Sequence, residues 1–312
     1  VSSGVDRAAG HTLLSFVADE LDVAVAPPVS AAARDLVRRL NGVAVLFYGS
    51  VLRTGDLDGV LDFYVLTPPP RGFGMRALAT RALWPDVSFH ELPVGGRMIR
   101  AKVATMPLDT FCRAAGGRTI DTTVWTRFAQ PAGLVWSADP VTGARVVRAV
   151  AHAAATAARF AAVLGPQSGR PGDFWTALFR QTYSAELRVE APGREQQILA
   201  FDPDRFDTLL PLAWQGAGIG YERRGDAYRP LVTERDSRQT LAAWWLRQRL
   251  GKWLNVARLI KAAFTFDGAA RYGLWKLQRH TGIDLPLTPW RERHPILAAP
   301  GVMWRVWHAR QA

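Results

Sequence analysis

Only one cysteine, Cys112, occurs in 312 residues. A lone thiol builds neither an internal disulfide framework nor a cysteine-based zinc site, so a reducing compartment is expected. Cys112 follows Phe111 in a stretch with helical spacing, where a small buried hydrophobe fits better than a reactive thiolate. Long apolar runs are also missing. None approaches the roughly 18 residues that span a bilayer, and the Ala-rich stretch 149–164 is interrupted by His152 and Arg159. Residues 1–11 lack a basic segment followed by an apolar core. The expectation is a chain that stays in the cytoplasm and meets membranes only from their surface. No sequence repeat is apparent. Gly216, Gly218 and Gly220 have the wrong spacing for a dinucleotide fingerprint, no P-loop occurs, and the six histidines form no His-Glu-x-x-His pair.

What remains is an ordinary globular composition with an uneven charge. Hydrophobic residues make up 48% and charged residues 21%, which excludes disordered and fibrous classes. Residues 240–312 hold twelve Lys/Arg against three Asp/Glu, a net +9 of the chain's +12. Seven of the twelve tryptophans lie in the same segment. Leu246, Leu250, Trp253, Leu254 and Ala257 fall on one helical stripe, and Trp with Arg/Lys on such helices docks on anionic membrane surfaces. A bland alternative stands beside this one: the tryptophans are core and the arginines solvated. Nucleic acid also fits the charge but is the less favoured partner.

Hydrophobic periodicity predicts helices over 11–21 and 29–40, the second opened by Ser30 and stopped by Asn41-Gly42. Residues 43–48 and 60–67 read as strands covered on both faces. Residues 88–93 and 97–105 read as a hairpin about Gly95-Gly96, with Met98, Arg100, Lys102 and Ala104 on one face. Further on, 108–115 is helical with 124–128 as its extension, 133–137 a short strand, 141–164 a long helix, 173–181 another, and 183–190 a period-two strand. From residue 206 helices dominate. A division near residue 205 separates an α/β (α+β) unit, 1–205, from a mainly helical region, 206–312.

The chemistry concentrates in residues 43–66. An apolar strand ends in Tyr48-Gly49-Ser50, a turn small enough for backbone N–H groups and a hydroxyl to approach phosphates. The next strand carries one acid, Asp62. Two or three converging carboxylates are needed to hold the metal ions of nucleotidyl transfer, and the same-face position after Asp62 is Tyr64. Asp56 and Asp58 form an acid-x-acid pair in a Gly/Asp-rich turn, where turn chemistry competes with metal binding. Glu186, between Ala185 and Leu187, is the better second acid, because such a carboxylate is costly to bury unless it meets a cation.

Four segments resemble the mitochondrial translocator assembly and maintenance family of phosphatidate cytidylyltransferases. Tyr48-Gly49-Ser50 with Leu61-Asp62-Phe63 is similar to its Tyr-Gly-Ser and Leu/Ile-Asp-Phe pair, which also lacks a second acid. Residues 96–103 resemble its Gly-Arg-Leu-Ile-Lys-Tyr-Gly-Val strand, with Arg100 on the family lysine and Lys102 two residues on. Residues 126–131 resemble Gly-Arg-Leu-Gln-Lys-Pro, and residues 182–188 resemble Ser-Tyr-Ser-Gly-Asp-Phe-Arg. The family's Asn-Trp-x-x-His-Tyr-Ser segment is replaced by residues 71–86. The resemblance covers about residues 42–190 and implies a polymerase-beta-type nucleotidyltransferase sheet, with CTP and phosphatidic acid as substrates and Mg²⁺ as cofactor. It implies Ser50, Asp62, Glu186 and Lys102 as catalytic residues. Tyr48, Gly49, Ser50, Arg100, Arg127 and Arg188 would meet the nucleotide and its phosphates, and Asp62, Glu186 and Asp58 are the metal candidates. Residues 240–312 would rest on the inner face of the cytoplasmic membrane. A non-lipid acceptor, or a non-catalytic binding module, remains the alternative.

Overall fold

A computed structural model describes residues 12–70, 82–185, 193–265, 288 and 290. The fold is mixed α/β, with a five-stranded sheet, helices on both faces and a mainly helical C-terminal region. Strands β1 (Ala44–Tyr48), β2 (Val60–Thr67), β3 (Asp86–Val94), β4 (Arg97–Pro107) and β5 (Ala132–Ser137) lie in the order β3-β4-β2-β1-β5. β2 and β4 are parallel, and every other neighbouring pair is antiparallel.

Alternation along the strands sorts the side chains to two cores. Val45, Phe47, Leu61, Phe63, Val65 and Val103 meet Val29, Ala32, Ala33 and Leu36 of α2 (Pro27–Leu40). Leu46, Tyr48, Tyr64, Leu66, Ala104 and Met106 belong to the larger cluster on the opposite face. That cluster includes α1 (Leu13–Leu21), α4 (Leu108–Ala115), α5 (Thr123–Phe128) and α6 (Pro140–Leu164). The five-residue α3 (Ser50–Thr54) links β1 to β2.

α6 runs through the middle of this second core. Among the described residues it is the one helix long and apolar enough to cross a bilayer by length and composition, with a mean hydropathy of 1.3, but 72% of that apolar window is buried inside the fold. His152 and Arg159 emerge on its exposed side. Such burial is that of a core helix.

Beyond it come α7 (Pro171–Ala185), α8 (Arg194–Phe201), α9 (Pro203–Gly216), the hairpin β6 (Gly220–Arg224) and β7 (Ala227–Leu231), and α10 (Glu234–Thr265). The same buried cluster joins Tyr48 and Trp125 to Phe206, Trp214 and Trp244, so the division expected near residue 205 falls inside a continuous core. Arg205 itself is buried, with Glu20 as its ion-pair partner and the Ala129 carbonyl accepting from it at 3.0 Å.

Several local expectations change. Residues 183–185 continue α7 rather than beginning a strand, because Phe174, Trp175, Leu178, Phe179 and Thr182 extend a buried helical face. The rest of that expected strand, with Glu186 and Arg188, lies outside the described residues. Residues 124–128 belong to a separate helix. Asp121 opens it, accepting from the Val124 N–H at 3.1 Å and the Thr123 hydroxyl at 3.0 Å. The second helix starts at Pro27, without a side-chain cap, rather than at Ser30. The β6–β7 hairpin was not anticipated, although its two-residue Gly225-Asp226 turn, with Gly225 at φ +61°, is a recognised hairpin signal.

Candidate functional site

Tyr48, Asp62 and Lys102 form one lateral row. β1 pairs Tyr48 with Asp62, and β2 pairs Asp62 with Lys102. Directly paired residues share a face, with Cβ atoms roughly 5 Å apart, so the acid stands between an aromatic ring and an ammonium. β4 also places Arg100 on this face, paired with Val60, half-exposed and 3.7 Å from Glu91.

Gly49 lies against the acid. Its φ of +94° is open chiefly to glycine, and a Cβ built there would lie 2.7 Å from Asp62 Oδ2. No other residue satisfies both conditions. The chain then turns directly into α3, with the Ser50 side chain exposed at its start.

Burial pushes the Asp62 carboxyl above its ordinary pKa, and the charges of Lys102, Arg127 and Arg53 pull the other way. Arg127 reaches the site from the end of α5, its guanidinium 4.7 Å from the centre of the Tyr48 ring. The next residue anchors it: Phe128 packs edge-on against Tyr64 at 5.1 Å and Phe111 at 5.0 Å. The result is a partly buried carboxylate beside a bare glycine turn, ringed by three cations.

Tyr64 explains the missing second acid on β2. It is 2% exposed and packed among Tyr48, Phe111 and Phe128, a place where a carboxylate would be stranded. Asp58 is placed elsewhere. Its side chain is 80% exposed and sits 2.6 Å from Arg97, while its N–H donates to Asp56 Oδ1 at 3.0 Å. This is the chemistry of a turn. Among the described residues no group of three or more His, Cys, Asp or Glu side chains gathers to hold a metal. Glu186 and Arg188 fall outside the described residues.

The structure therefore brings together Tyr48, Gly49, Asp62, Lys102 and Arg127, with Ser50 and Arg100 alongside. It adds Arg53, which sequence reasoning missed; its position three residues after Ser50, one helical turn on, was the available signal. The chain matches no family model and no curated protein sequence.

Proposed function

We propose that this chain is a Mg²⁺-dependent phosphatidate cytidylyltransferase, making CDP-diacylglycerol and pyrophosphate from CTP and phosphatidic acid. The contact between Gly49 and Asp62 carries the reading. A tight turn with no side chain at Gly49, set against a carboxylate that feels the charges of Lys102, Arg127 and Arg53, suits a metal-bound triphosphate.

In this reading the Gly49–Ser50 turn cradles the β- and γ-phosphates. Arg100, Lys102, Arg127 and Arg188 neutralise phosphate charge as pyrophosphate departs. The acceptor phosphate is already ionised near neutral pH, so it attacks the α-phosphorus without needing a strong base, and positioning dominates. Asp62 would hold Mg²⁺, with Glu186 as the second carboxylate; when bound, the ion neutralises charge on the phosphates. A carboxylate oxygen is the hard donor that Mg²⁺ takes, and Gly49 brings no side chain over Asp62 Oδ2.

The outer side of α10 supports attachment to the inner face of the cytoplasmic membrane. Trp245, Leu246, Leu250 and Trp253 are exposed, and Arg249 lies 4.4 Å from the centre of the Trp245 ring. A second reading, a nucleotidyltransferase with a non-lipid acceptor or a non-catalytic nucleotide-binding module, is favoured by the aromatic burial of Tyr64 in the second-acid position. One assay decides. The protein, Mg²⁺, each of the four radiolabelled NTPs and phosphatidic acid liposomes are incubated together; labelled CDP-diacylglycerol from CTP is the expected product. Its absence removes the lipid reaction, and turnover persisting in Asp62→Asn removes the assigned site.

A further inference from the structure

The outer sides of α4 and α6 line an open hollow of about 330 Å³, to which the described strands of the five-stranded sheet contribute no side chain. Its charge is one-sided. Arg113 and Arg118 come from the C-terminal end of α4, His152 and Arg159 from α6, and among the described residues no carboxylate lines it.

Backbone geometry builds this convergence. Gly117 adopts φ +67°, its N–H donates to the Ala114 carbonyl, and the Arg118 N–H donates to the Arg113 carbonyl, both at 3.0 Å. That paired closure of a glycine-ended helix brings Arg118 back beside Arg113. A Cβ on Gly117 would lie 2.7 Å from Thr156 Cγ2, so the turn rests directly on α6, where His152, Thr156 and Arg159 share a face.

Cations at a helix C-terminus ordinarily serve its free carbonyls. Here that task is already met: the Arg113 and Ala114 carbonyls accept from the Arg118 and Gly117 N–H groups, and the Ala115 carbonyl from the Thr156 hydroxyl at 3.0 Å. Arg247 of α10, itself buried, donates to the Gly117 carbonyl at 2.7 Å and the Thr119 carbonyl at 2.8 Å. No described carboxylate forms an ion pair with Arg113, Arg118 or Arg159. Burial, then the charge of Arg159, pull the Arg247 guanidinium below its usual pKa, while Asp121 pulls the other way.

Arg159 and Ala217 also border a neighbouring cavity of about 410 Å³. Phe160, Val163, Ile219, Leu231 and Val232 form an apolar side, while Thr233, Asp236, Gln239 and Thr240 put polar groups in the same lining. The cationic hollow thus adjoins one with an apolar side.

We infer that this hollow is a binding site for an amphiphile bearing a phosphate group, with the phosphate among Arg113, Arg118 and Arg159 and the alkyl portion against Ile219, Leu231 and Val232. Planar guanidinium forks match phosphate oxygens, and a cleft lined by one sign of charge concentrates the field on its ligand. The apolar side next to Arg159 favours an alkyl-bearing phosphate over a plain polyanion. Neither Asp62 nor its neighbours take part, so the site stands whether or not the proposed reaction does.

Decyl phosphate below its micelle concentration, inorganic phosphate and decylphosphocholine are titrated by calorimetry into the full chain, Arg118→Gln/Arg159→Gln and Leu231→Glu. These three side chains are exposed, and equal melting temperatures verify that the variants fold. Decyl phosphate binding is expected to fall about tenfold or more in the double variant. Leu231→Glu weakens decyl phosphate but not inorganic phosphate. In proton NMR the His152 ring signals, assigned by their loss in His152→Gln, shift on adding decyl phosphate. A shift with phosphatidic acid vesicles as well assigns the phosphate to a lipid headgroup, and a shift with the monomer alone to a soluble alkyl phosphate. Undiminished binding in the double variant, or an unmoved His152 signal, overturns the site. Inorganic phosphate binding as tightly as decyl phosphate overturns the amphiphile, and decylphosphocholine doing so overturns the need for a phosphate monoester.

Discussion

Arg258, late in α10, forms an ion pair with Asp121, the residue that opens α5. Its guanidinium also lies 4.6 Å from the centre of the Trp84 ring. Three residues later Lys261 reaches Asp86 at 2.5 Å, so α10 is tied both to the start of β3 and to the helix whose far end presents Arg127.

Removing Arg258 leaves a carboxylate that is 3% exposed without this cation. Stranding one partner of a buried pair costs about 3–5 kcal/mol. Arg258→Ala is therefore expected to unfold at clearly lower denaturant concentration than wild type. Turnover should fall further than the folded fraction does, because α5 orients Arg127. A denaturation midpoint equal to that of wild type contradicts the role given to the pair.

Gly49→Ala introduces a side chain at φ +94° and a clash with Asp62 Oδ2. Backbone strain of this kind costs about 1–3 kcal/mol. The expected outcome is a folded but less stable protein with nucleotide turnover reduced to background. Calorimetric melting and the radiolabelled CTP assay read the two effects separately, and wild-type turnover would remove the turn from the site.

Asp62→Asn separates stability from function. Burial raises the Asp62 carboxyl above its ordinary pKa despite Lys102, Arg127 and Arg53, so in the fold the ionised form is disfavoured relative to the unfolded chain. That penalty is absent below the ordinary carboxylate pKa, appears as pH rises through it and is complete above the raised folded value. In metal-free buffer at neutral pH the variant is expected to melt above wild type, with the gap closing on acidification, while turnover is lost. A variant that melts below wild type at neutral pH refutes the sign.

Trp253→Glu tests the outer side of α10. The side chain is 73% exposed, so stability should stay within about 0.5 kcal/mol of wild type. Flotation with vesicles containing anionic lipid should fall sharply, and raised salt should weaken binding in the wild type as well. Unchanged flotation at low salt sends the docking surface elsewhere.

Much of the site's local geometry was legible before any coordinates. Consecutive β-branched and aromatic residues at 43–48 and 60–67 form strands, and Gly95-Gly96 closes the expected hairpin, with Met98, Arg100, Lys102 and Ala104 on one face. The described part of the basic tail divides between core and surface. Trp244 is core while Trp245 and Trp253 face outward, and Arg247, Arg258 and Lys261 turn inward to carbonyls and acids.

Sequence alone determined the strands and helices around the site and the tight Tyr48-Gly49-Ser50 turn, because dihedral preference and hydrophobic period are properties of neighbouring residues. Only the tertiary structure decided that Lys102 stands beside Asp62 and that Arg127 covers Tyr48. It also decided that Tyr64 fills an aromatic core where an acid was sought, and that Arg113, Arg118 and Arg159 converge on one hollow. Those relations join residues tens of positions apart. They follow from strand register and helix packing, in which burial of the whole apolar surface selects one arrangement and the polar groups take the positions it leaves them.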